Sequence, residues 1–133
     1  MTENEISKII VNAAFDLHTE LGPGLLETVY EVLLAHQLRE AGLQVERQMP
    51  IPIQYHGVTF DEGFRAGLVV EGIVIVELKS IETVLRVHGK QLLTQLRLSG
   101  RRLGLLINFG AEHLKDGIKR VVNGLPENPS PDA

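Results

Sequence analysis

Two short aliphatic runs, Ile73–Leu78 and Leu103–Phe109, bracket a stretch of helical spacing, and no other feature constrains the fold as much. Each run has the length of a buried strand rather than of a helix. Between them Val87, Gln91, Leu92, Gln95 and Leu98 lie close to one stripe of a helix over Val84–Leu98, which Gly100 ends. A strand, a crossover helix and a second strand of these lengths predict a parallel pair. The chain is therefore expected to be α/β.

The remaining segments fill in around that pair. Thr2 and Glu5 form a capping box before Ile6, Ile9, Ile10, Ala13 and Leu17, which step at helical spacing to about Leu21. Gly22-Pro23-Gly24 breaks this helix, and a second runs from Leu25 through Leu38 with Gly42 as its stop. Val45, Met49, Ile51 and Ile53 alternate as a strand, and Pro50 and Pro52 put it at a sheet edge because neither donates to a ladder. His56-Gly57 turns into a strand over Val58–Val70, and Glu71-Gly72 turns into Ile73–Leu78. Glu112–Val122 reads as a last amphipathic helix, giving the order α-α-β-β-β-α-β-α. Residues 1–124 read as one domain and the proline-rich segment 125–133 as a disordered tail.

Composition removes several function classes. The 133 residues include no cysteine, so disulfide frameworks and thiolate zinc sites are excluded. No apolar run approaches the ~20 residues of a membrane span. The acidic start is unlike a secretory signal, so a soluble cytoplasmic protein is expected. A net charge of −4 argues against a nucleic-acid coat protein but leaves room for a local basic face. The five histidines show no i, i+4 pairing that would suggest zinc. A homo-oligomer stays open.

The chemistry concentrates at Glu77-Leu78-Lys79, which ends the first aliphatic run with a carboxylate and an ammonium two residues apart. A carboxylate holds hard divalent cations, and a neighbouring lysine orients a water. Glu-x-Lys alone is a weak motif, and two hydrated charges at a strand end explain it equally well. Gly24-x-x-Glu27-x-x-Tyr30 adds an acid just inside a helix N-terminus, although Glu27 there also simply complements the helix dipole.

Together the segments Leu21–Tyr30, Glu62–Ala66, Val74–Lys79, Gln91–Thr94, Leu98–Gly100 and Leu114–Arg120 resemble the GxxExxY protein family, a branch of the PD-(D/E)XK nuclease superfamily. The resemblance spans nearly all of Ile9–Asn123. It implies a restriction-endonuclease-like αβββαβ core, a mixed sheet flanked by helices, with one extra N-terminal helix. It also implies Mg2+- or Mn2+-dependent phosphodiester hydrolysis of nucleic acid. On this mapping Glu27, Glu77 and the Leu78 carbonyl hold the metal, Lys79 is catalytic and Gln91 positions the substrate. The chain departs from the family at Phe64-Arg65-Ala66-Gly67-Leu68, where Gly67 replaces the strand aspartate. A three-residue loop, Glu71-Gly72-Ile73, would set Gly67 opposite Glu77, whereas a two-residue turn would pair it with Val76. Asp61 is six residues away, ~20 Å along an extended strand, unless Gly63 marks a bulge. The family's Gln-x-x-x-Tyr reads Gln91-x-x-x-Gln95 here. Impaired catalysis is therefore expected, with a non-catalytic nucleic-acid or protein-binding module as the alternative. Arg65, Lys90, Arg97 and Arg101 are the candidate phosphate contacts, alongside Arg86, His88, Arg102, Lys115, Lys119 and Arg120.

Overall fold

A computed structural model describes residues 1–126. Helix α1 spans Glu3–Leu21 and α2 spans Glu27–Glu40. Strands β1 (Val45–Tyr55), β2 (Val58–Val70) and β3 (Val74–Lys79) follow, then helix α3 (Arg86–Ser99), β4 (Leu103–Asn108) and β5 (Ile118–Val122). The five strands form one sheet in chain order. Only β3 and β4 are parallel, from Val74↔Leu103 to Lys79↔Asn108, which is the pair that the aliphatic runs predict.

The two faces of the sheet bury different layers. One core joins Ile6, Ile10, Ala14 and Leu17 of α1 and Tyr30, Leu34 and Leu38 of α2 to Leu68, Val76, Leu78 and Leu105 of the sheet. The other packs Leu92 and Leu96 of α3 on Ile51, Val69, Ile75 and Leu106. β3 and β4 contribute to both layers, which is why their sequences are aliphatic without alternation. The capping box is present at Thr2 and Glu5, and α1 stops at Gly22, whose φ of 70° suits glycine.

Two expectations change, and one left open is decided. Glu112–Val122 is not a helix: Leu114–Gly117 is a 3-10 turn and Ile118–Val122 is β5, antiparallel to β4 from Leu103↔Val122 to Ile107↔Ile118. The i, i+4 spacing of Leu114 and Ile118 suits a helix, but β4 needs a hydrogen-bonding partner on its second edge. Gly117 lets the turn lie against the Asn108 carbonyl, a contact that any Cβ would block. Leu125, expected in the tail, is buried in the core beside α1 and α2, and 127–133 lie outside the described residues. Finally, the β1–β2 register shifts between Ile51 and Ile53, so the bulge is real. It sits at Gly63, where a Cβ would run into the Ile51 carbonyl and the Ile53 side chain.

A second irregularity lies nearer the motif. Ala66 belongs to the layer under α3, yet Leu68, two residues on, belongs to the layer under α1 and α2. Residues two apart in a regular strand share a face, so β2 reverses its facing at Gly67. Strand β1 does the same between Val45 and Met49, around Gln48, whose φ is 52°.

Candidate active site

Beyond Leu68↔Val76 the β2–β3 ladder ends, and continuing its register brings Gly67 opposite Glu77, as the three-residue loop requires. The Gly67 N–H donates to Glu77 Oε1 over a long 3.4 Å. Burial pushes the Glu77 carboxyl above the ordinary glutamate value, and nearby Glu27 and Glu31 push the same way. The Gly67 N–H and Lys79 act against that rise by favouring the anion. The Lys79 carbonyl accepts from Phe109 N of the β4 side. Carbonyls alternate in direction along a strand, so that of Leu78 points the other way, towards the gap where β2 and β3 part.

Helix α2 brings its acids to this end through a short tied loop. The buried Tyr30 hydroxyl donates to the Gly22 carbonyl at 2.5 Å and accepts from Leu25 N at 3.2 Å. The Tyr30 ring stacks on Phe109 with centroids 4.5 Å apart and planes 8° apart. The Leu25 carbonyl in turn accepts from the Ser80 hydroxyl at 2.5 Å, joining the loop before α2 to the residue after Lys79. A cleft of about 460 Å³ lies between them, lined by residues including Glu27, Ser80 and Glu82. Glu27 itself is solvent-exposed.

Two residues central to this region escape the sequence reading. Asn108 is buried and holds the segment after Lys79, accepting from Ile81 N and Gly110 N at 3.0 Å each and donating to the Ile81 carbonyl at 2.9 Å. Glu31, one turn beyond Glu27, is 3% exposed. Its carboxylate accepts from Arg47 Nε at 3.2 Å and Gln48 Nε2 at 2.9 Å. A Cβ on Gly67 would lie 3.8 Å from Glu31 Oε2, so Glu31 borders the very space that an aspartate at position 67 would fill. Its placement beside Tyr30 on a helix was the only signal available, and charged helix positions usually face water.

The candidate cations do not form one face. Arg65 is exposed and its Nη1 donates to the Gln48 carbonyl at 3.1 Å, near the gap. Lys90 and Gln91, both exposed, line a groove with Phe64 and Thr94 between α3 and the β2 bulge. Arg101 donates to the Gly72 carbonyl, at the end of β3 away from Lys79, and the exposed Arg97 near the end of α3 lies towards that side. Arg102 is paired with Glu3 at 2.9 Å.

The residues present do not by themselves suit a complete divalent-metal centre. Glu27, Glu77 and the Leu78 carbonyl supply hard oxygen donors, but Gly67 supplies none and Glu31 is engaged by Arg47 and Gln48. Among the described residues no three acidic or histidine side chains are grouped to hold a metal ion.

A mixed sheet whose central strand ends in a carboxylate and a lysine, beside an acid-bearing helix, defines a restriction-endonuclease-like fold. The chain belongs to the PD-(D/E)XK nuclease superfamily, whose family model matches residues 4–121. No curated protein and no solved structure was found to match it. Among the described residues no helix is long and apolar enough to cross a membrane.

Proposed function

We propose that this chain is a nucleic-acid-directed member of the superfamily, of the GxxExxY type, in which metal-dependent phosphodiester hydrolysis is impaired. The observation that carries the reading is the pairing of Gly67 with Glu77: the strand acid is replaced by a backbone N–H that holds the remaining carboxylate. Glu27, Glu77, the Leu78 carbonyl and Lys79 are what is left of the site, and Mg2+ or Mn2+ binding is weak because one charge and one donor are missing. Lys79 retains the position from which an ammonium stabilises charge on a phosphate. Arg65 is the candidate phosphate contact nearest the gap. Lys90 and Gln91 are read as contacts further along the nucleic acid, in the groove beside α3.

The test is calorimetric binding of Mn2+ to the chain, to Gly67→Asp and to the Gly67→Asp/Glu77→Ala double variant. A Cβ at 67 would meet the Val76 carbonyl at 3.1 Å, so the first atom of a side chain there needs a shift of a few tenths of an ångström. Binding by Gly67→Asp alone, lost with Glu77, supports the reading, and cleavage of nucleic acid should then appear in that variant. Equal binding by the parent and Gly67→Asp would overturn the impairment.

A second reading, a non-catalytic module for a protein partner, draws on exposed apolar side chains at the cap and first turns of α2. Leu26 is 74% exposed and Val32 45% exposed, with Val29 between them. Metal binding by neither variant, together with no retention on nucleic acid, would favour it.

A further inference from the structure

Glu31 and Arg47 have no part in the site inferred from sequence, yet Glu31 borders its gap and Arg47 donates to Glu31. Glu31 leaves α2 one turn after Glu27, and its side chain is 4% exposed, against 37% for Arg47. A carboxylate this buried needs a cation or several donors to stay ionised. It has one of each: the Arg47 guanidinium at 3.2 Å and the Gln48 amide at 2.9 Å. Both donors come from the stretch of β1 that reverses its facing, where Gln48 takes a φ of 52°. The backbone distortion therefore has a consequence: it turns two consecutive side chains, which a regular strand would send to opposite faces, onto one carboxylate.

The same carboxylate lies beside Gly67. Its Oε2 is 3.8 Å from where a Cβ on residue 67 would stand, and Gly67 N in turn contacts Glu77 Oε1. Because residue 67 has no side chain, no bulk separates Glu31 from the gap in front of Glu77. We propose that Glu31 is the carboxylate that takes the place of the missing strand acid, and that Arg47 is its resident counter-cation. A divalent ion then enters this site only by displacing the guanidinium from Glu31. On this proposal the third acid is present in the chain but held by Arg47 and Gln48. This inference rests on the metal-site reading proposed above.

The test is calorimetry with Mn2+ on the full chain and on Arg47→Gln, Glu31→Gln and the double variant. Arg47→Gln should bind Mn2+ at least tenfold more tightly than the parent, the order of one charge-assisted hydrogen bond. The gain should vanish in Arg47→Gln/Glu31→Gln. Arg47→Lys keeps the strand and a positive charge but loses the directed Nε–H, so it should fall between parent and Arg47→Gln and guards against unfolding. A second readout is thermal: Arg47→Gln should lower the denaturation midpoint, and Mn2+ should restore part of the loss, because a ligand that binds only the folded state stabilises it. Unchanged affinity in Arg47→Gln, or a gain that survives Glu31→Gln, overturns the inference. If that happens while Gly67→Asp binds Mn2+ through Glu77, the metal-site reading stands and only the role of Glu31 and Arg47 falls. If no variant binds, Gly67→Asp included, both fall together.

Discussion

Replacing Tyr30 with phenylalanine isolates what its hydroxyl does, because the ring keeps its stack on Phe109, at 4.5 Å, and leaves almost no cavity. Two hydrogen bonds go: a short donation to the Gly22 carbonyl at 2.5 Å and a weaker acceptance from Leu25 N at 3.2 Å. A neutral hydrogen bond contributes about 0.5–1.5 kcal/mol net, and the longer one belongs at the low end. Gly22 and Leu25 lie in a loop that water reaches, which spares the full desolvation penalty. The expected loss is about 1.5–2 kcal/mol, a sizeable share of the ~5–15 kcal/mol typical of a domain. For a chain of this size it corresponds to a fall of roughly 5–7 °C in the midpoint. Equilibrium urea unfolding measures the change, with an unaltered slope as the control that the denatured state is the same. Because Leu25 also receives the Ser80 hydroxyl, Ser80→Ala should be less costly in the Tyr30→Phe background than in the parent. A loss below about 0.5 kcal/mol would refute the reasoning, since the loop would then be held by water and backbone alone.

Three further substitutions probe the same end of the sheet. Burial holds the Glu77 carboxyl above its ordinary value of 4.5, so the folded state binds that proton more tightly than the unfolded chain. The stability this provides is full below the ordinary value and is lost as pH rises through the folded pKa. Glu77→Gln should therefore stabilise at neutral pH, with the gain disappearing in acid below the ordinary glutamate range. A pH-independent difference in thermal midpoint would contradict this. Asn108→Ala removes three buried hydrogen bonds to Ile81 and Gly110 and should cost about 3 kcal/mol by urea unfolding, with faster amide exchange at Ile81. Gly110→Ala should cost at least as much as a core overpacking, about 1–3 kcal/mol, because the new Cβ would stand 2.6 Å from Ile81 N, an obstacle made of backbone rather than of a movable side chain. A neutral result would mean that the Ile81 segment is free to move.

The sequence by itself determined the elements whose signals are local. The capping box at Thr2 and Glu5, the break at Gly22-Pro23-Gly24 and the two aliphatic strands each depend on residues within a few positions of one another. The sequence narrowed the β2–β3 register to two choices, because a turn length fixes parity along a hairpin, and the structure takes the three-residue loop. Glu77 and Lys79 could be located as a strand end, and Gly67 as the residue facing it.

Tertiary structure decided everything that depended on distant partners. Ile118–Val122 has spacing compatible with a helix, and only the open edge of β4 makes it a strand. Glu31 reads as one more surface charge until β1 brings Arg47 and Gln48 to it from 16 and 17 residues away. Asn108 is polar in an apolar run, and its reason, the Ile81 backbone, lies 27 residues earlier. The cations that looked like one phosphate-binding set separate because α3 runs back along the sheet, carrying Lys90 and Arg97 towards opposite ends of β3. Spacing along a chain reports which face a residue occupies, but a buried charge is settled by what the fold delivers to it.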